Sequence, residues 1–177
     1  MKNFLPFSCF IVRKEVLTMY SFASDEYIEM IVKTYGNSML RASYALLGNR
    51  DDAEDAVQEA FVKLMEKKPD FNDGEHLKAW LLRVTINISK NMLKASWRKN
   101  KSVTQEISYT ENESDEMIFC VMKLEENYRT VIHLYYYEGY SIKEIAEILK
   151  LPSATVGTRL NRGRAKLRKM LEGDVLI

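Results

Sequence analysis

The chain has 177 residues, 46% of them hydrophobic, with 26 basic and 25 acidic side chains and a net charge of +1. That length admits one or two small helical domains, each with an ordinary core, and the near-zero total hides a strong segregation of charge along the chain. Cys9 and Cys120 lie far apart and His76 and His133 each stand alone. No metal spacing, nucleotide loop, nucleophile elbow or paired-carboxylate site occurs, so the sequence argues against an enzyme, a metal protein or a cofactor binder.

Residues 1–23 form an N-terminal extension. Its apolar run, Phe4 to Val12, is broken by Pro6 and is too short to span a membrane. Arg13, Lys14 and Glu15 follow at once with no small-residue cleavage site, which speaks against a signal peptide. The first eighteen residues read either as a translated upstream extension before Met19 or as a loosely docking segment. With no membrane insertion expected and only two distant cysteines, a cytoplasmic setting is expected.

The first convincing helix runs from Ser24 to Leu47, where Tyr27, Ile31, Tyr35, Met39, Ala42 and Leu46 recur at helical spacing before Gly48. The next spans Asp51 to Lys67, with Asp51 and Glu54 at capping-box spacing. Its apolar face carries Ala53, Ala56, Val57, Ala60, Phe61 and Leu64, and its other face Asp52, Asp55, Gln58 and Glu59. Acids in a first turn suit the helix dipole, so charge alone leaves open whether this face does anything more.

After a loop at Pro69 to Gly74, a long helix is expected from Leu77 to about Lys99. No acid occurs between His76 and Gln105, whereas Lys78, Arg83, Lys90, Lys94, Arg98 and Lys99 do, interleaved with Trp80, Asn87, Asn91 and Trp97. Cations for phosphates and flat rings for unstacked bases are what single-stranded nucleic acid requires. Trp80 also shares a face with Leu77, Leu81 and Val84, which is the simpler core reading; Trp97, among cations at a helix end, reads as exposed.

Residues 101–116 are polar and acidic without a period and read as a flexible linker. Helix resumes from Met117 to Tyr137 and stops at Glu138-Gly139. Ser141 to Met170 then reads as a helix-turn-helix. Ser141 and Glu144 have capping-box spacing, Pro152 ends the first helix, and Ser153 is placed to cap the second. In that second helix Val156, Leu160, Gly163 and Leu167 should pack inward. Thr158, Asn161 and Arg162 point elsewhere, and Arg159, Arg164, Lys166, Arg168 and Lys169 add charge of one sign, with no acid from Ser153 to Leu171. One-signed charge beside a capped turn favours a phosphate backbone over a solvated surface helix.

Taken together, these stretches resemble the extracytoplasmic-function group of bacterial RNA polymerase sigma factors, over about Asp25 to Leu171. DDAEDAVQEAFVKLM is similar to that family's core-polymerase-binding helix, AWLLRVTINISKNMLK to its promoter-melting and minus-ten-reading helix, and YRTVIHLYYYEGYSIKEIAEIL with TVGTRLNRGRAKLR to its minus-thirty-five-reading domain. The resemblance implies an all-α fold of two small domains: residues 24–100 as sigma region 2, the linker at 101–116, residues 117–172 as sigma region 4 with the helix-turn-helix, and a tail at 173–177. It implies an alternative sigma factor whose partners are core RNA polymerase, promoter DNA and an anti-sigma factor, with no small-molecule substrate.

Residue by residue, the resemblance places Asp55, Gln58 and Glu59 on the coiled coil of the polymerase largest subunit. It places Arg83, Asn87, Asn91 and Trp97 on the minus-ten element, Asn87 at the position that captures a flipped base. Thr158, Asn161 and Arg162 fall where the recognition helix meets the minus-thirty-five element, with Arg159, Arg164 and Arg168 on phosphates. Three residues depart from the family pattern: Lys150 where the turn commonly has Gly, Ala154 at the recognition-helix start, and Gly157 where a cation is common. The competing reading, a stand-alone helix-turn-helix regulator, explains Ser141 to Met170 but gives the acidic helix and the basic Asn/Trp helix no purpose.

Overall fold

The computed structural model describes residues 25–99 and 120–173, and the sequence readings for the N-terminal extension, most of the linker and the end of the tail lie outside them. Among the described residues, with 120–122 also helical, six longer helices follow in order: α1 (Asp25–Leu47), α2 (Arg50–Lys67), α3 (Gly74–Lys99), α4 (Glu126–Tyr136), α5 (Ile142–Leu149) and α6 (Ser153–Gly173). No strand occurs among the described residues. The fold is all-α, as the helical periodicity predicts.

The helices α1, α2 and α3 pack on one another around Tyr27, Ile31, Met39, Leu64, Leu77 and Leu81, all fully or almost fully buried. Tyr35 donates its hydroxyl to the Gly74 carbonyl at 3.2 Å and so ties α1 to the start of α3. Deeper, Ser43 and Ser89 meet at 2.8 Å. Ser89 gives its own proton to the Thr85 carbonyl at 2.9 Å, which leaves Ser43 as the donor between the helices. Both hydroxyls are fully buried, so this pairing avoids the cost of leaving one unsatisfied.

A second core joins α4, α5 and α6 but does not stop there. Leu134, Ile145, Val156 and Leu160 are buried together with Ala42 and Leu46 of α1 and Leu82 and Ile86 of α3. The two halves of the chain therefore share apolar surface. Within the second half, α4 and α6 approach closely at Gly163, where an added Cβ would lie 3.2 Å from Ile132 Cγ1 and 3.4 Å from Tyr128 Cβ.

Helix ends differ from the sequence expectation at several points. The stretch expected as one helix from Met117 to Tyr137 is interrupted at residues 123–125, where Glu125 takes an extended backbone, φ −59 and ψ 144, and α4 starts only at Glu126. α3 starts at Gly74 rather than Leu77. Asn49, not Asp51, caps α2, its side chain accepting from the Asp51 amide at 2.9 Å; the acids then fall inside the first turn. Ser153 is the first residue of α6 rather than its cap, because the Pro152 carbonyl already accepts from the Val156 amide at 3.2 Å. The capping box of Ser141 and Glu144 forms as expected, with bonds in both directions. Lys150 closes α5 in the left-handed region at φ 52, and the Leu151 amide reaches back to the Ala146 carbonyl at 2.9 Å. That six-to-one bond is a Schellman closure, which usually takes glycine because a Cβ is disfavoured there.

Candidate nucleic-acid and polymerase interfaces

α3 carries two apolar strips, and its polar residues sort between them. Leu77, Leu81 and Ile88 face α1 and α2, while Leu82 and Ile86 face the second half of the chain. Asn87 and Asn91, one turn apart, are exposed, as is Lys94 on the same side. Trp80 is half-buried in the first core and meets Phe71 edge-on at 5.8 Å, which is the core reading of that residue. Trp97 lies in the last turn of α3, and its side chain is outside those described.

The cations flanking the second strip are already engaged. Arg83 donates to two main-chain oxygens at the C-terminal end of α5, Nε to Ile148 at 2.7 Å and Nη2 to Glu147 at 2.6 Å. A guanidinium suits that end because its carbonyls are unsatisfied and carry the negative end of the helix dipole. Lys78 lies 3.0 Å from Glu138, and Lys90 lies 3.4 Å from Glu126. Of the minus-ten candidates with described side chains, the structure therefore leaves Asn87 and Asn91 open to solvent and sets Arg83 against α5.

Glu138, in the turn between α4 and α5, is a buried charge. Its side chain is only 2% exposed. Ser38 donates to Oε2 at 2.5 Å, while Arg41 and His133 stand 3.7 Å from Oε1. Burial alone would push this carboxyl up, but His133, the Ser38 hydroxyl and the Lys78 ammonium outweigh it and hold the pKa down to about 2. Ser38 and Arg41 come from α1, Lys78 from α3 and His133 from α4, so this charge is stabilised from both sides of the junction between the halves.

The basic residues of α6 divide by face. Thr158, Asn161 and Arg162 are exposed, and Thr158 also back-bonds to the Ala154 carbonyl at 2.9 Å. Arg159 and Arg162 line an open cleft of about 350 Å³ between α6 and the start of α4, together with Asn127, Tyr128, Thr155 and Thr158. Arg164 faces away from this cleft, donating to the Tyr136 hydroxyl at 2.8 Å with its guanidinium over the Tyr135 and Tyr136 rings at 5.2 and 5.5 Å. Arg168 pairs with Glu172 at 2.7 Å, and Lys166 with Glu125 at 2.7 Å. The structure thus groups Thr158, Arg159 and Arg162 on the cleft and sets Arg164 and Arg168 beside a separate groove lined by Ile132, Tyr136, Leu167 and Leu171. An added Cβ at Gly157 would meet nothing within 4 Å, so the missing cation there reflects no steric constraint.

On α2, Asp55, Gln58 and Glu59 are all exposed, with Glu59 paired to Lys63 at 2.5 Å. Val62, 45% exposed, continues that face at helical spacing, and Met65, 41% exposed, lies just beyond it. The sequence reading passed over both. Their signal was there: each is apolar yet lies off the stripe formed by Ala53, Ala56, Ala60 and Leu64, and large exposed apolar groups beside acids suit a protein partner. Asn127 and Tyr128 were also missed, because neither stands in the helix-turn-helix and only the fold brings them to the cleft.

Comparisons with known proteins agree with this geometry. The Sigma-70 region 2 family matches residues 31–99 and the Sigma-70 region 4 family residues 114–167. The ECF RNA polymerase sigma factor SigW of Bacillus subtilis is 28% identical over 91% of this chain and 97% of its own length. The ECF RNA polymerase sigma-E factor of Escherichia coli K12 is 32% identical over 64% of this chain and 70% of its own. Among solved structures, the sigma factor RpoE of Bartonella quintana, held by the anti-sigma factor NepR, superposes with a TM-score of 0.70 at 22% identity over 84% of this chain and 98% of that one. CnrH, held by the cytosolic domain of CnrY, gives 0.65 at 24% identity over 86% and 92%. At those identities the two structures speak for the fold. With both regions matched in order and a relative this similar over most of its length, the chain belongs to the ECF group of RNA polymerase sigma factors, which direct promoter-specific transcription initiation and do no bond chemistry themselves.

Proposed function

We propose that this chain is a cytoplasmic alternative sigma factor whose three exposed faces divide the work of initiation. Residues 24–100 and 117–172 are its two working units, joined through 101–116. Asp55, Gln58 and Glu59, extended by Val62 and Met65, dock on the coiled coil of the polymerase largest subunit. Thr158, Asn161 and Arg162 read the edges of the minus-thirty-five element in the major groove, with Arg159 on phosphate. Asn87 and Asn91 take up minus-ten bases that have left the stack, with Arg83 and Trp97 on the same helix. Arg164 and Arg168 reach phosphates only if they give up their present partners. No helix among the described residues is long and apolar enough to cross a membrane, which fits the proposed compartment.

The observation that carries this reading is the separation of the faces. The acidic face of α2, the amide pair of α3 and the polar face of α6 are all exposed, and each lies off the apolar stripe of its helix. An anti-sigma factor holds the structurally similar RpoE of Bartonella quintana, and a protein of that kind is the proposed inhibitor here. The test is run-off transcription with purified core polymerase on a promoter library, run beside a core pull-down. Charge reversal at Asp55 with Gln58→Ala should abolish both while the melting of the chain is unchanged. Normal core binding by the folded variant would overturn the docking face.

A further inference from the structure

The cleft between α6 and the start of α4 gathers polar side chains that the fold itself leaves unused. Arg159 and Arg162 line it from α6, and Asn127 lines it from the first turn of α4. None of the three has a hydrogen-bond or ionic partner among the described residues. Their neighbours on α6 are committed: Arg164 to Tyr136, Lys166 to Glu125 and Arg168 to Glu172. Glu125 is the acid on this cleft, and Lys166 holds it at 2.7 Å. The cleft therefore keeps two uncommitted guanidinium groups on one wall and an uncommitted, exposed amide on the other.

An α-helix with its side chains is about 10–12 Å across, and the major groove of B-DNA is about 12 Å wide. A recognition helix therefore fills the groove it enters. A side chain that stands beside such a helix, rather than on it, meets the sugar-phosphate strand bordering the groove. Asn127 stands in that place: it belongs to α4 and faces the flank of α6 that carries Arg159 and Arg162. Its position is fixed by its neighbour Tyr128, whose Cβ packs against Gly163 of α6 and whose ring takes the Lys166 ammonium at 5.2 Å. We propose that this cleft is a phosphate slot with walls from two helices, in which the Asn127 amide and the Arg159 guanidinium grip the strand beside the minus-thirty-five groove and so set the register of α6. The proposal rests on α6 being the minus-thirty-five reader. A side-chain amide donates hydrogen bonds but carries no charge, so its share is position rather than counterion release. Contacts of this kind orient a protein on the duplex without reading its sequence.

The test uses holoenzyme assembled from core polymerase and the full chain, with fluorescence anisotropy on labelled promoter duplexes over a salt series. Asn127→Ala should weaken binding about three- to tenfold, the fold-change of one net hydrogen bond. The loss should be equal on all minus-thirty-five sequences, with an unchanged salt slope. Arg159→Ala should weaken binding and also flatten that slope by about one, as the loss of a cation on phosphate requires. Asn127→Asp keeps the shape and should weaken binding more than Asn127→Ala, because a carboxylate then faces a phosphate. Duplexes carrying a single methylphosphonate locate the contact: at one backbone position the neutral group should cost the wild type affinity and cost Asn127→Ala none. Asn127→Asp binding as tightly as wild type, or the same methylphosphonate profile in wild type and Asn127→Ala, would overturn the slot. So would an affinity loss in Asn127→Ala that comes with a lowered melting temperature and an unshifted profile, since Asn127 would then be structural. Arg162→Ala keeps the two readings apart. If it weakens binding while Asn127→Ala does not, the slot falls and α6 keeps its assignment; if neither does, the reading of α6 falls with it.

Discussion

The two helices proposed to face DNA are in opposite states of readiness. On α6 the candidate reading groups are open: Thr158, Asn161 and Arg162 are exposed, and Thr158 bonds only to its own helix. On α3 the amides are open, but Lys78, Arg83 and Lys90 are engaged by the other half of the chain. Phosphate contacts supply most of the affinity of such a surface and base contacts its selectivity. On that proposed assignment, α6 offers groups for both affinity and selectivity in this arrangement, and α3 offers those for selectivity alone.

The harshest way to break the contrast is to damage the frame of α6 itself. Gly163→Val forces a branched side chain into the 3.2 Å approach to Ile132 and should cost about 1–3 kcal/mol, toward the upper end, in denaturant unfolding. A chain of unchanged stability would mean that α4 and α6 do not meet this tightly. Next comes the open reader: Arg162→Ala should weaken transcription by about 1–3 kcal/mol and relax preference at one upstream position if the guanidinium grips a base edge. A promoter library with an unchanged profile would reduce Arg162 to a phosphate or solvent contact.

On the engaged helix, Asn87→Ala should keep the fold and core binding, slow open-complex formation on duplex promoters, and alter base preference at one minus-ten position. A mismatched bubble should rescue the melting defect because unpairing then costs little, and the altered preference should persist. Templates carrying all four bases decide it, since the same preference as wild type on both forms would remove Asn87 as a base reader.

Acid sharpens the contrast further. Glu138 has its pKa lowered to about 2 in the folded chain, so its contribution to closure is complete above its ordinary value and is lost as pH falls toward 2. Scattering should show the halves separating across that acid window in the wild type and a flat response in Glu138→Gln. The smallest effect is expected at Gly157→Ala, which should stabilise the chain by about 0.5–1 kcal/mol, because the site is helical and the new methyl meets nothing. A melting temperature that falls would show that the glycine serves the backbone.

The helices α1, α2, α3, α5 and α6 are legible as periodicity, and so are the capping box at Ser141 and the exposed faces of α2 and α6; the break at residues 123–125 before α4 is not, because apolar residues recur at helical spacing on both sides of it. Nor is the second strip of α3. Leu82 and Ile86 sit beside Leu77 and Leu81 in sequence, and a period identifies one buried stripe without saying which neighbour covers a second. The roles of Lys78, Arg83 and Lys90 were hidden for a related reason. A cation without a nearby acid reads as a phosphate ligand, while the oxygens that meet Arg83 belong to main chain about 65 residues away. Arg164 shows the same limit, since its tyrosine partner lies 28 residues upstream.

The Arg83 contact has an evolutionary corollary. Its acceptors are backbone oxygens, which every residue type supplies, so positions 147 and 148 can drift without changing what Arg83 grips. The Glu138 contact is written in side chains on both halves, and any drift there at Ser38, Lys78 or Glu138 changes its strength. One fastening is therefore insulated from mutation on its acceptor side, while the other is an inherited dial. Related chains under different regulation should vary at the second and keep the first.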